Sequence, residues 1–125
     1  MPISLPRQLA LGCLLLLLGA IFIGGEQPGA GNLFSTPWDK LVHLLVFGGI
    51  GVLVALGFPT LSLSAVLLAV AAAGAVDEMH QMFLAGRQAG IDDWLADLAG
   101  GLFALPVISR LRLLYVACAV NKKAR

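Results

Sequence analysis

Charge, aromatics and cysteine are all scarce in this chain. Only 12% of its 125 residues are charged, 7% are aromatic, and two are cysteine. Two cysteines, Cys13 inside an apolar run and Cys118 near the C-terminus, define neither a spaced disulfide framework nor a zinc motif. A net charge of +1 with so few aromatics excludes nucleic acid as a partner, since that needs a basic face and usually stacking rings. No His-Glu-x-x-His pattern occurs, and no nucleophile stands beside a base in sequence, so no catalytic residue, resident metal or cofactor is read from spacing.

What fills the chain instead is apolar. Hydrophobic residues make up 59% of it, above the roughly 45–50% of a soluble domain. A bilayer core about 30 Å thick takes about 20 apolar residues per helical crossing. The expectation is an all-α fold: one membrane domain over residues 1–125, an integral bundle of four short transmembrane helices. The spans are read at about residues 9–25, 41–58, 61–81 and 92–108. Pro28-Gly29, Pro59-Thr60 and Gly86 to Gly90 punctuate the connections, and Pro106 falls near the far end of the fourth span. Leu113 to Val120 is too short to cross and reads as an interfacial helix or a frayed extension. Arg7 before an apolar run, with small residues after it, imitates a signal peptide, but Leu9 to Gly25 is long enough to stay as a span.

Four crossings put both termini on one side. Arg7, Arg110, Arg112, Lys122, Lys123 and Arg125 gather there, against Lys40 and Arg87 on the other, so the positive-inside bias makes the termini cytoplasmic. All seven acids, Glu26, Asp39, Asp77, Glu78, Asp92, Asp93 and Asp97, fall at the outer end, with Trp38 and Trp94 at the same boundary. Gly48, Gly49, Gly51, Gly74, Gly100 and Gly101 offer small surfaces for close helix packing. A faint echo links Asp39, His43 and Gly48-Gly49 to Asp93, Asp97 and Gly100-Gly101, as in a duplicated hairpin.

Spacing turns the outer charges into a candidate site. Asp39 and His43, Asp77 and Gln81, and Asp93 and Asp97 are each four apart, and Glu78 and Gln81 three apart, so three helix ends carry polar stripes. Ionisable groups at membrane depth cost about 2.5 kcal/mol or more unless they pair or face water. The candidate cluster is Asp39, Lys40, His43, Glu78, Gln81, Arg87, Asp93 and Asp97. Asp92 and His80 lie off the stripes and are expected to face solvent. The bland reading is that Lys40 and Arg87 neutralise Glu78, Asp93 or Asp39 and pin the helices together.

Asp39-Lys40 with His43 and Phe47, followed by Asp77-Glu78, Gln81, Phe83, Gly86-Arg87, Asp93 and Gly100, resembles the VanZ-like family over roughly residues 38–101. The resemblance implies a small multi-helix bacterial membrane protein, in a family named for a member linked to resistance against teicoplanin-type glycopeptide antibiotics. The chain departs from the pattern at Ala85, where proline often stands, and at Asp97, where asparagine is usual. Aspartate there adds a negative charge and donates a hydrogen bond only when protonated.

Three functions fit these residues. In the first, an inner-membrane protein binds an envelope lipid, a cell-wall precursor headgroup or a glycopeptide-like ligand in an outward-facing cleft. Arg87 and Lys40 then meet phosphate or carboxylate, and His43 supplies a pH-sensitive group. In the second, a hydrolase or transferase acts on such a lipid, with Glu78 as base, or with His43, Glu78, Asp93 and Asp97 around a hard ion such as Mg²⁺. In the third, a structural subunit uses the charges as a helix clamp and its glycines against a partner membrane protein.

Overall fold

The computed structural model of the protein describes residues 5–123, with side chains through residue 117. Four helices follow one another: α1 (Leu5–Gly25), α2 (Trp38–Gly57), α3 (Leu63–Gln81) and α4 (Ile91–Lys123). Among the described residues there is no strand, and all four helices are long and apolar enough to cross a membrane. Hydropathy sets their existence; local chemistry sets their ends. Ser62 Oγ accepts a hydrogen bond from Ala65 N–H at 3.1 Å, capping α3 just after the Pro59-Thr60 turn. At its other end α3 stops at Gln81, earlier than the Gly86 break, because Phe83, Leu84 and Arg87 N–H groups bond three residues back in successive tight turns. Asp92 and Asp93 occupy the first turn of α4, where negative charge complements the helix dipole.

The fourth helix differs from its expected length. It runs through Pro106 without interruption for 33 residues, about 50 Å at 1.5 Å per residue, so the stretch from Leu113 continues the span as an extension instead of forming a separate interfacial helix. Proline removes one N–H but leaves the following ladder intact, and membrane helices tolerate that loss. The side chains of Cys118, Lys122, Lys123 and Arg125, placed at the basic terminus by the sequence, lie outside the described residues.

Helix α2 is central and packs against all three others, most extensively against α4, whereas α1 barely touches α3. The core joins Phe47, Ile50 and Val54 of α2, Val66 and Val70 of α3, and Ala104 and Ile108 of α4. Only Ala10 of α1 is buried, so α1 presents most of its surface to lipid. Without a hydrophobic drive between helices in lipid, packing depends on close backbone approach. Gly48 of α2 meets Gly100 of α4 in this way: a Cβ on Gly48 would lie 3.1 Å from the Gly100 carbonyl oxygen, and one on Gly100 would collide with the Leu44 carbonyl.

Two arginines tie off the opposite end of the bundle. Arg7 Nε donates to Gly57 O at 2.8 Å and Arg112 Nη2 to Leu61 O at 2.7 Å, so α1 and α4 both grip the α2–α3 turn. Charged hydrogen bonds of this kind contribute about 1.5–3 kcal/mol each. The Arg7→Ala/Arg112→Ala double variant is therefore expected to lower the melting temperature in detergent with the spans intact by circular dichroism. An unchanged melting temperature would show these bonds to be replaceable by water.

Candidate functional site

The other end of the bundle opens into a cavity of about 820 Å³. Its walls are the end of α1, the 30–36 loop, the first turns of α2, the end of α3, the 86–90 loop and the first turn of α4. Six of the sequence-derived candidates line it: Asp39, Lys40, His43, Gln81, Arg87 and Asp93. Glu78 and Asp97 do not line it, Glu78 facing a smaller pocket beside Gly90 and Trp94 and Asp97 being fully buried, whereas Asp77, which belongs to the α3 stripe but not to the candidate set, does.

Lys40 is the electrostatic hub between α2 and α4. Its Nζ lies 2.6 Å from Asp92 Oδ2 and 3.5 Å from Asp39 Oδ2, and it also bonds Asp93 Oδ1. Three carboxylates on one ammonium make this the helix clamp foreseen for Lys40. The exposed Asp92, expected simply to face solvent, takes part in it. Thr36 Oγ1 steadies Asp39 from the preceding loop at 3.3 Å.

Deeper along α2, His43 Nδ1 and Asp97 Oδ1 share a hydrogen bond of 2.8 Å, and Asp97 is 0% exposed. The His43 ring also stacks on Phe47, one turn on, with centroids 6.1 Å apart and planes 2° from parallel. Gly74 of α3 makes room for Asp97: a Cβ there would come within 2.6 Å of Asp97 Oδ2. Spacing of four put Asp97 on the Asp93 stripe, but its tie to His43 follows only from how α2 and α4 are rotated against each other.

On α3, Gln81 Nε2 donates to Asp77 Oδ2 at 3.0 Å, so this candidate bonds a neighbour on its own stripe. Glu78 Oε2 accepts from Gly90 N–H at 2.7 Å and pins the loop that leads into α4, while Glu78 Oε1 is buried with no hydrogen-bond partner. His80 is half-buried and meets Glu26 Oε1 at 3.2 Å and the edge of Phe22 at 5.3 Å, tying α3 to the end of α1. The Trp94 indole turns into the bundle and donates to Ala71 O at 3.0 Å, whereas Trp38 is exposed at the rim.

Arg87 behaves unlike Lys40. Among the described residues no carboxylate forms an ion pair with its guanidinium, and its Nε is buried without a partner. Neutralisation of Glu78 or Asp93 by Arg87, the expectation of the bland reading, does not occur. The arm runs instead beside Gly25 and Gly31, where a Cβ on Gly31 would lie 3.1 Å from Arg87 Cδ, and it borders the cavity. One ring nitrogen of His43 and one oxygen each of Glu78 and Asp93 also come within 4.8 Å of one another, drawing donors from α2, α3 and α4 to one point.

No curated protein and no solved structure matches the chain. Residues 9–114 match the VanZ/LLP1 family, a stretch that extends the sequence resemblance back into α1 and forward into α4. Since that match takes in the cavity, the loops that frame it and the greater part of all four spans, the chain belongs to the VanZ/LLP1 family.

Proposed function

We propose that this multi-pass membrane protein holds the anionic headgroup of an envelope lipid or cell-wall precursor in its polar cavity, with Arg87 as the anion-binding group. The observation that carries the reading is the unpaired guanidinium. Seven carboxylates, Glu26, Asp39, Asp77, Glu78, Asp92, Asp93 and Asp97, stand at this end of the bundle, yet among the described residues Arg87 forms an ion pair with none of them. A cation left without a partner beside about 820 Å³ of cavity is free to meet phosphate or carboxylate, and its planar fork suits bidentate recognition. Lys40, engaged by three acids, shapes the wall and leaves the ligand to Arg87.

Arg7, Arg110 and Arg112 lie toward the opposite end, joined in the sequence by Lys122, Lys123 and Arg125, and the positive-inside bias then puts the termini in the cytoplasm. The membrane is the bacterial inner membrane and the cavity faces its outer leaflet, where a bound cell-wall precursor would connect the site to glycopeptide resistance of the teicoplanin type. The structural-clamp reading accounts for Lys40 but leaves Arg87 without a role.

Binding of polyprenyl phosphate and of phosphatidylglycerol to the protein in nanodiscs, read by native mass spectrometry, tests this. Arg87→Ala is expected to weaken at least one of them about tenfold or more, the loss of about 1.4 kcal/mol or more from a charged contact. Arg87→Lys should fall between, because a point charge replaces the fork. Equal binding by wild type and Arg87→Ala would end the proposal.

A further inference from the structure

We propose that His43, Glu78 and Asp93 form a site for one first-row divalent cation of the Mn²⁺ or Zn²⁺ class, held between α2, α3 and α4 at the wall of the cavity. The site goes beyond headgroup binding and stands whether or not an anion enters the cavity. Its first support is geometric: one donor atom from each residue lies within 4.8 Å of the other two. Ligands bound at about 2.1 Å from an ion lie at most about 4.2 Å apart, so a side-chain adjustment of under about 1 Å closes the set.

Glu78 supplies an independent observation. The residue is 9% exposed, its Oε2 is occupied by the Gly90 N–H at 2.7 Å, and its Oε1 is buried with no hydrogen-bond partner. A buried carboxylate oxygen without a partner is costly unless it is protonated or meets a donor or a cation. Neither nearby cation meets it, since Lys40 rests on Asp39, Asp92 and Asp93, and Arg87 forms no ion pair with Glu78. A cation among His43, Glu78 and Asp93 meets a carboxylate oxygen of Glu78 and supplies the positive charge that neither Lys40 nor Arg87 gives it.

The surroundings of His43 are those of a metal-binding imidazole. Nδ1 is bonded to the fully buried Asp97 at 2.8 Å, which leaves Nε2 as the nitrogen free to coordinate. A carboxylate behind the ring fixes the tautomer and raises the basicity of the opposite nitrogen, an arrangement common behind metal-bound histidines. Asp97 is thus a positioning residue and not a ligand, which narrows the four-residue set suggested by the sequence. Asp93 keeps an oxygen for the ion because Lys40 bonds only its Oδ1, and Lys40 retains Asp92 as a partner at 2.6 Å. One imidazole with two carboxylates favours Mn²⁺ or Zn²⁺ over Mg²⁺ or Ca²⁺, which prefer oxygen alone.

The test uses the full chain purified in detergent, stripped of metal and titrated with Mn²⁺ alone under electron paramagnetic resonance. One Mn²⁺ per chain is expected, with an electron spin-echo modulation from a single directly bound imidazole nitrogen. Equimolar Zn²⁺ should compete, and a hundredfold excess of Mg²⁺ should not. Glu78→Gln and His43→Gln are each expected to weaken Mn²⁺ at least tenfold, and Asp97→Ala ten- to a hundredfold through the loss of ring orientation. Glu26→Gln, which removes a carboxylate at the end of α1 outside the ligand set, should bind as wild type does. Absence of stoichiometric Mn²⁺ and Zn²⁺, bound Mn²⁺ with no nitrogen coupling, displacement by Mg²⁺, or wild-type affinity in folded Glu78→Gln would each overturn the site. Should His43→Gln fail to fold, the nitrogen coupling of the wild type decides in its place.

Discussion

Gly100→Ala is expected to separate α2 from α4 and abolish most of the folded population, although a single methyl group is all that is added. The new Cβ would be driven into the Leu44 carbonyl and lie 2.9 Å from Gly48 N, both backbone atoms that a side-chain rotation cannot move aside. Overpacking typically costs about 1–3 kcal/mol when side chains can yield, and this contact belongs at or above the top of that range. Gly49→Ala is the matched control, because a Cβ there meets nothing within 4 Å. It should be neutral or slightly stabilising, since alanine is the better helix former by up to about 1 kcal/mol. Thermal unfolding of both variants in the same detergent measures the contrast, and equal stability would mean that α2 and α4 do not touch along these glycines.

The second large effect falls on Asp97. Asp97→Ala removes the partner of His43 Nδ1 from a position that is 0% exposed and leaves a void beside Gly74. An unsatisfied buried polar group costs about 1–3 kcal/mol, to which the void adds. Asp97→Asn, the residue usual in relatives of VanZ-like type, keeps an oxygen that accepts from Nδ1–H and removes a charge whose Oδ2 has no hydrogen-bond partner. Its stability is expected to stay within about 1 kcal/mol of wild type. A nitrogen-15 spectrum of His43 gives the second readout: the tautomer should persist in Asp97→Asn and be lost in Asp97→Ala. Matching melting temperatures and tautomers in all three proteins would remove Asp97 from any orienting role.

The candidate site was legible in part. Polar residues three and four apart on otherwise apolar helices mark a shared face, and of the residues so marked Asp39, His43, Gln81 and Asp93 line one cavity together with Lys40. Partner choice was not legible in the same way. Lys40 had several acids within plausible reach, and it is the rotation of α4 that brings Asp92 and Asp93 to it. Arg87 stands on a loop after α3, where periodicity carries no information, so its position beside Gly25 and Gly31 had no signal in spacing. Charge clustering at one end suggested His43, Glu78, Asp93 and Asp97 together, but which three of them meet was not legible, because the members come from three helices and no short motif encodes a meeting of that kind.

Four spans, the gathering of acids at one end and the small residues for packing are properties of the amino-acid sequence by itself, because transfer into lipid is additive along about 20 residues and needs no tertiary partner. The single helix through Pro106, the burial of Asp97 behind His43 and the lack of an ion pair between Arg87 and any described carboxylate were decided only by the assembled bundle. Each depends on helix rotation, loop path and backbone approach at Gly48 and Gly100, contacts between residues about fifty positions apart whose energies exist only once the helices have met.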